Sequence, residues 1–501
     1  MDCGNERNSD CGCDSCEPAG VEVVYPSAFE RRVMAGEAPG GPGERVALVA
    51  PTIAKVGEPL VLKVAIADAM GYPSVQFEGD VTIRCPQAEP GEVVVSMRRG
   101  IPAVAVIRGV TVGTKGLLRF EAEALGRTFH ANPTSCQIDP VRRIYWGDPH
   151  VHTVLSDCHA DTCRSENFCY VSGRWFAGLD WLAAADHVSN ARCELARWKA
   201  EAAASNAFND PPTFATLPAY EASFKGGAGG DNNVYMSRWP GLFVDGYDDG
   251  TVKTMCDELA GKLKPGEEFF VVPHHTTRTG KHGEIGDDIY PGPQLMPVME
   301  IHSKWGTSEY RGNPGPLKEI HPGPSYAVDL LGQGLRLGFI GGTDTHSTMA
   351  AGIGDDAHQL DRLPGMTAVL ADELSRQAVF DAIAARNCYA ASGERIYLDA
   401  EIAGQPMGRS VTWPDASRER AIRVTAAARG EIVSIDIIRN GKTIHSQPVG
   451  DWQGTCQWQD QSDLNDAMLN SKHLGRFAYY YIRVNCASGA HAWSSPVWLT
   501  A

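Results

Sequence analysis

Residues 146–157 read Trp146-Gly147-Asp148-Pro149-His150-Val151-His152-Thr153-Val154-Leu155-Ser156-Asp157, and this stretch indicates more about the fold and chemistry than any other. Val151 separates two histidines, and a carboxylate follows five residues after the second. Alternate side chains of a strand leave the same face, so we expect His150 and His152 to reach one metal ion together. Imidazole nitrogen and carboxylate oxygen are ligands for zinc, manganese and iron. A single His-x-His is also common on ordinary strands, so the prediction depends on the rest of the chain.

The composition is typical of a soluble globular protein with more than one core. The chain has 501 residues, of which 43% are hydrophobic and 21% charged, and this length favours two or three domains. It contains no apolar run of about 18 residues, so no membrane span is predicted. The net charge of −16 argues against a nucleic-acid backbone as the main partner. A small-molecule substrate is expected instead, and the oligomeric state stays open.

The N-terminus and the cysteines give opposite indications about the compartment. Residues 1–7 lack the cationic and apolar regions of a secretory signal, which predicts a cytoplasmic protein unless a leader has been lost. Fourteen cysteines would suit an oxidising compartment if Cys85 paired with Cys136 and Cys456 with Cys486. The alternative is that they are small buried hydrophobic residues. The Cys-x-Cys-x-x-Cys at 11–16 could bind a soft metal, or could belong to a disordered tail.

Three modules follow a Cys-rich tail at residues 1–20. Short alternating runs punctuated by Gly and Pro predict a β-sandwich-like domain at 21–140 and a second β-rich domain at 403–501. Asn440-Gly441, between two strand-like runs of the latter, is a strong hairpin signal. Residues 141–402 alternate apolar strands with helical stretches, which is typical of a parallel sheet or a barrel.

In this middle module, apolar runs stop at histidines or carboxylates. The residues at these strand ends are Asp186-His187, Glu221, His274-His275, His302 and Asp344-x-His346. The carboxyl ends of the strands of a βα barrel converge on one mouth, so we expect these side chains to share a polynuclear metal site. Each one alone would be an ordinary strand-end residue.

The ordered set formed by these residues with His150-x-His152 and Asp157 resembles the PHP (polymerase and histidinol phosphatase) superfamily. Trp146-Gly147-Asp148, Trp305-Gly306-Thr307-Ser308-Glu309 and Trp493-Ser494-Ser495-Pro496 resemble its carbaryl hydrolase-like and DUF3604 subgroup. The resemblance covers about half the chain. It implies a distorted (β/α)7 PHP-type barrel, flanked by the two β-sandwich-like domains, with two or three divalent metal ions (Mn, Zn or Fe) at its mouth.

The resemblance also implies a ligand set for each ion. His150, His152, Glu221 and Asp344 would hold the first; Glu221, His274 and His302 the second, with Glu221 bridging; and Asp157, His187 and His346 the third. Many relatives have a histidine where Asp157 stands, so the third site could be weak or empty. His275, next to His274, is left open as a ligand, an outer-sphere residue or a substrate contact.

The expected function is a metal-dependent hydrolase in which a metal-bridged hydroxide cleaves a carboxylic or carbamic ester. The candidate catalytic residues are Glu221, Asp186, His275, Lys304 and Arg278. Asp186 is expected to orient a ligand, and Trp305 and Tyr235 to form an apolar rim. The alternative is a phosphoesterase, in which Arg278, Lys281, Lys304 or Arg311 would hold the phosphate. A non-catalytic, metal-bearing binding protein is the alternative from another class.

Overall fold

The structure is a computed structural model that describes residues 20–156, 162–187, 195–224, 228–238, 250–278, 283, 285–317, 323–352, 363–413 and 418–501. The described residues are rich in strand and contain six α-helices. No helix among them is both long and apolar enough to cross a membrane.

The N-terminal region consists of twelve strands and one helix. In chain order these are β1 (Glu22–Val24), α1 (Ala28–Glu37), β2 (Arg45–Val49), β3 (Ile53–Lys55), β4 (Leu60–Ala67), β5 (Gly79–Arg84), β6 (Ala88–Glu89), β7 (Glu92–Met97), β8 (Val104–Val112), β9 (Gly116–Leu118), β10 (Glu121–Ala124), β11 (Arg127–His130) and β12 (Thr134–Gln137). Two antiparallel sheets, ordered β1-β8-β4-β2 and β11-β10-β5-β7, contribute to one apolar core. Strand β7 alternates exposed and buried residues, as expected for a sheet with one solvated face.

The middle region contains the other five helices. Its elements are β13 (Arg143–Val151), α2 (Glu166–Trp175), β14 (Trp181–Ala184), α3 (Leu195–Phe208), β15 (Ala215–Thr216), β16 (Ala219–Ser223), β17 (Asp231–Met236), α4 (Val252–Lys262), β18 (Phe269–His274), β19 (Val298–Ser303), β20 (Gly306–Thr307), α5 (Ala327–Gly332), β21 (Gly338–Gly341), β22 (Gly365–Ala371), α6 (Arg376–Ala384) and β23 (Cys388–Ser392). The sequence predicts helices at residues 194–202 and 373–383, and helices α3 and α6 overlap these stretches.

The C-terminal region is built of strands. They are β24 (Tyr397–Ile402), β25 (Gln405–Pro406), β26 (Ser410–Thr412), β27 (Arg420–Arg439), β28 (Lys442–Asp460), β29 (Leu469–Ser471), β30 (Gly475–Cys486), β31 (His491–Ser494) and β32 (Val497–Thr500). The hairpin signal at Asn440-Gly441 is confirmed, since these residues join β27 to β28 with φ values of 50° and 76°. Both central residues of a type I′ turn need a positive φ, which Asn and Gly tolerate.

The prediction of a (β/α)7 barrel with separate flanking sandwiches is wrong. A βα barrel needs a closed ring of parallel strands, whereas β13 pairs antiparallel with β22, and β16, β17 and β18 form an antiparallel sheet. A fourteen-stranded sheet runs from β15 through β13 and β23 into β30 and β27, so middle and C-terminal strands share it. Alternating apolar strands and helices indicate how elements follow one another, but they do not fix which strands pair or in which direction. The domain boundaries stay a prediction.

The disulfide pairs considered from the sequence are not formed. Cys85, Cys136, Cys456 and Cys486 are buried free thiols. The four cysteines of the tail at residues 1–20 lie outside the described residues.

The strands that lead to the predicted site are buried along their whole length. This holds for β14, β16, β18, β19 and β21. Glu221 in β16 and Glu300 in β19 are the acidic residues within them, and each is at most 3% exposed. Burying a carboxylate is costly unless partners compensate, so both positions point to a specific arrangement around them.

Candidate metal centre

Although the barrel is absent, strand ends from several sheets bring the predicted ligands together. His150 lies in β13 and His152 just after it, Glu221 in β16, His274 at the end of β18, and Asp344 after β21. All five are buried, with exposures from 0 to 2%. His150 and His152 do share one side, as the His-x-His spacing predicted, with ring centroids 5.1 Å apart.

Glu221 is the centre of the cluster. Its Oε2 lies 3.3 Å from Nε2 of both His150 and His152. Its Oε1 lies 3.4 Å from Nδ1 of His187 and 3.3 Å from Nε2 of His274. Each oxygen therefore faces a different pair of imidazoles, which is the arrangement expected of a carboxylate that bridges two metal ions.

Asp344, in the segment that follows β21, contacts three histidines of the cluster. Its Oδ1 lies 3.0 Å from Nε2 of His152 and 3.4 Å from Nε2 of His150, and its Oδ2 lies 2.7 Å from Nε2 of His275. Asp344 and His275 both have a φ of 51°. Left-handed backbone is uncommon outside glycine, although Asp and His adopt it more often than most residues, and it is concentrated at functional sites.

The remaining predicted histidines stack at the edge of the cluster. The rings of His187 and His346 lie 4.7 and 4.2 Å from that of His152. These three residues, like the group His150, His152 and Glu221, place one ligand atom each within 4.8 Å of one another. The same holds for His150, His274 and Asp344, and for Asp231, His274 and His275.

The charges within the cluster are strongly coupled. Burial alone would raise the pKa of Glu221, but the neighbouring His187 and His274 lower it well below its ordinary value. Burial likewise opposes the charged form of Asp344, and His150 and His275 nevertheless hold its pKa low. For His150, burial lowers the pKa while Asp344 and Glu300 raise it well above its usual range. Anionic acids facing imidazoles make a nitrogen and oxygen donor set.

The buried ring nitrogens fit a bound cation. Nδ1 of His274 and of His275 make no hydrogen bond among the described residues, and Nε2 of His274 and Nδ1 of His187 have only the 3.3 and 3.4 Å approaches to Glu221. A buried polar atom without a partner costs about 1 to 3 kcal/mol, so several at one place indicate a missing partner. Nitrogen and oxygen donors at these distances suit divalent metals such as Mn, Zn or Fe.

Hydrogen bonds from outside the cluster hold the ligand-bearing segments. Asp148 accepts from the backbone N–H of His150 at 3.1 Å and of Thr343 at 3.0 Å, which ties β13 to the segment that carries Asp344. Asp186 accepts from the N–H of Thr153 at 2.6 Å and from the hydroxyl of Ser156 at 2.7 Å. Asp186 is therefore linked to His152 through Ser156, and its role in orienting a ligand stays a prediction.

Among the predicted ligands that the structure describes, His302 is the one that does not lie in the cluster. Its Nδ1 lies 2.8 Å from the Thr307 hydroxyl, its Nε2 2.8 Å from the Leu363 carbonyl, and its ring stacks on Trp493 at 5.7 Å. The physical reason is a register irregularity between Glu300 and His302 in β19. A bulge breaks the two-residue alternation, so Glu300 faces the cluster and His302 faces a cavity of about 550 Å³ on the other side.

The other predicted residues are placed as follows. The Arg278 guanidinium lies 4.9 Å from the Trp305 ring centre, and that ring contacts His275 at 5.8 Å and His346 at 6.1 Å. Lys304 is 5% exposed and lies next to Trp305 in the chain. Arg311 stacks on Tyr326 instead, and Tyr235 is buried with its hydroxyl donating to the Pro149 carbonyl. Asp157 and Lys281 lie outside the described residues.

Three residues at the site were missed by the sequence prediction. Glu300 lies 3.1 Å from Nδ1 of His150, Ser156 contacts Nδ1 of His152 at 3.0 Å, and Asp231 begins β17 beside His274 and His275. An acid inside the buried run Val298–Ser303 was the signal for Glu300. Asp231 follows two glycines, which makes it look like an ordinary loop residue, so the sequence carried little indication of its role.

One family model and two relatives match only parts of this chain. The family model "Protein of unknown function (DUF3604)" matches residues 354–400, which include none of the cluster residues. The chain is 35% identical over 214 residues to an uncharacterized protein of Chlamydia muridarum, covering 40% of this chain and 34% of that protein. It is 34% identical over 250 residues to an uncharacterized protein of Chlamydia trachomatis, covering 48% and 39%. The chain thus spans well under half the length of these two relatives.

A third relative and two solved structures are more distant. An uncharacterized protein of Chlamydia pneumoniae is 25% identical over 401 residues, covering 77% of this chain and 62% of that protein. The sulfur carrier protein SoxY of Chlorobium limicola matches 21% of this chain and 92% of its own at 17% identity, with a TM-score of 0.15. A Paenibacillus cycloisomaltooligosaccharide glucanotransferase matches 92% and 72% at 9% identity, with a TM-score of 0.23. Neither score carries an argument about fold or function.

Proposed function

We propose that this protein is a metal-dependent hydrolase that cleaves carboxylic or carbamic esters of small molecules. The observation that carries the proposal is Glu221, whose two oxygens each face two imidazoles at 3.3 to 3.4 Å. The order of His150-x-His152, Glu221, His274 and Asp344-x-His346 along the chain resembles the PHP superfamily, and this supports the proposal through the residues alone.

The chain's residues would share the work of holding two or three ions. His150 and His152 lie nearest Oε2 of Glu221, and His187 and His274 lie nearest Oε1. Asp344 lies beside His150 and His152. Divalent ions held there would lower the pKa of a coordinated water and polarise the bond under attack. Glu221 and Asp344 would balance the charge of the ions, and the stacked imidazoles would exclude other ligands.

The rim of the cluster supports an ester substrate. Trp305 contacts both His275 and His346, so it gives an apolar group of the substrate a surface next to the ions. Arg278, stacked on Trp305, would donate hydrogen bonds to an ester or carbamate oxygen. The same cation, with Lys304 nearby in the chain, favours a phosphoester as the second candidate, since a guanidinium binds phosphate well.

A substrate panel on the metal-loaded protein tests the proposal. We expect turnover of p-nitrophenyl acetate and 1-naphthyl carbamate, with loss of turnover after chelation and recovery on adding Mn²⁺ or Zn²⁺. Activity on bis-p-nitrophenyl phosphate alone would select the phosphoesterase. Tight metal binding with no turnover of any of the three would favour a binding protein.

A further inference from the structure

The two histidines of the His-x-His motif each have one ring nitrogen inside the cluster and one outside it. For both His150 and His152, Nε2 faces Glu221 and Asp344. The opposite nitrogen, Nδ1, meets Glu300 in one case and Ser156 in the other. A neutral imidazole carries its proton on only one nitrogen, so these outside partners decide which nitrogen is left to bind a metal.

Glu300 determines which ring nitrogen of His150 is left to bind a metal. Its Oε2 lies 3.1 Å from Nδ1 of His150, and the two side chains are 2% and 0% exposed. A metal ion bound at Nε2 would leave the one proton of the His150 ring on Nδ1, where Oε2 of Glu300 is placed to accept a hydrogen bond from it. The contact is tightly fitted, because a Cβ at Gly342 would lie 2.4 Å from Oε2 of Glu300 and 2.8 Å from Cβ of His150.

The Ser156 hydroxyl determines which ring nitrogen of His152 carries the proton. That hydroxyl donates to Oδ1 of Asp186 at 2.7 Å and accepts from the backbone N–H of His187 at 2.9 Å. A hydroxyl has a single hydrogen, and the Ser156 hydroxyl donates it in the hydrogen bond to Asp186. The contact of 3.0 Å with His152 is therefore one in which Nδ1 of His152 donates, which again leaves Nε2 to face the cluster.

We propose that Glu300 and Ser156 are positioning residues that fix Nε2 of His150 and His152 as the metal-binding nitrogens. The proposal rests on the metal centre proposed above and deepens it. Partners of this kind orient ligating histidines and raise their basicity, and removing one typically weakens metal binding by about 10- to 100-fold. Asp186 acts through Ser156 and does not touch either ring.

The test compares Co²⁺ affinity and the visible spectrum of the Co²⁺-loaded protein across variants of the full chain. We expect Glu300→Ala and Ser156→Ala to weaken Co²⁺ binding by about 10- to 100-fold and to change the ligand-field bands. Glu300→Gln and Ser156→Thr should restore most of the affinity, because the amide and the hydroxyl oxygen can still accept from Nδ1. Glu309→Gln is the matched control: Glu309 is buried to a similar degree but pairs with Tyr481, Arg483 and Trp493.

The outcomes separate the two proposals. If wild-type protein bound no Co²⁺, the proposed function itself would fall. If wild type bound Co²⁺ and both alanine variants matched it in affinity and spectrum, the positioning role would be refuted while the metal centre stood. Loss of metal in Glu300→Gln as complete as in Glu300→Ala would make Glu300 a direct ligand, and that too would overturn the positioning role. Circular dichroism of each variant checks that it folds.

Discussion

Buried histidines lie on both sides of strand β19, but they differ in whether their ring nitrogens are hydrogen-bonded. On one side, Glu300 reaches a cluster in which Nδ1 of His274 and of His275 have no hydrogen-bond partner among the described residues. On the other, both nitrogens of His302 are hydrogen-bonded, and Nδ1 of His491 contacts Oδ1 of Asn485 at 2.9 Å. Buried histidines that the protein itself satisfies need no further ligand, whereas those of the cluster do. The side with unsatisfied nitrogens is where we expect a metal.

Among the variants that test this comparison, the largest change in metal content and activity is expected at Glu221. Glu221→Gln removes the charge that both pairs of imidazoles face, so metal content and hydrolytic activity should each fall by at least about 100-fold. His302→Phe is the matched change on the other side of β19 and should keep the metal content of wild type. Metal analysis by mass spectrometry, with an activity assay, measures both. Equal metal loss in the two variants would remove the distinction between the sides.

Metal binding should also stabilise the fold through the cluster side. Saturating Mn²⁺ or Zn²⁺ at about 100 times its Kd stabilises the native state by about 2.7 kcal/mol, so chelation should lower the Tm. The Tm of Glu221→Gln should be insensitive to metal and chelator, which differential scanning calorimetry would show. A chelator-induced drop of the same size in that variant would place the metal elsewhere in the protein.

The cavity side should show the smallest effect, which depends on pH. Burial, with the nearby His302 and Arg483, lowers the pKa of His491 to about 4, while Asp436 opposes the shift. The unfolded chain gains this proton near its ordinary pKa of about 6.5, so this contribution to stability is complete above that pH. It is lost as pH falls toward 4, by about 2 kcal/mol after the full linkage value of about 3 kcal/mol is reduced for solvent screening.

The matched variant is His491→Gln, whose amide N–H can still donate to Asn485. Its Tm should fall less than that of wild type between pH 6.5 and 4, as followed by thermal melts in metal-free buffer. Parallel Tm curves for the two proteins would show that His491 does not set this dependence.

The sequence predicted which side chains gather better than it predicted the fold that holds them. His150, His152, Glu221, His274 and Asp344 gather as expected, because each lies in, ends or directly follows a largely buried strand and must find polar partners. The closed barrel was not predictable from the same pattern, since strand direction and pairing depend on contacts between distant segments. His302 was assigned to the cluster because an apolar run ends there and because the ordered motifs resemble the PHP superfamily, but one irregularity in β19 turns it to the other side. No residue pattern within Val298–Ser303 predicts that irregularity.

One carboxylate serving four imidazoles makes the two halves of this centre inseparable. A change that rotates Glu221 away from His150 and His152 must also move its other oxygen away from His187 and His274. If metal ions bind on both sides as proposed, their occupancies would be thermodynamically linked, because an ion on one side would preorganise the shared acid for the other. Variants that alter only one half should therefore be difficult to find, and a titration should fill the centre cooperatively.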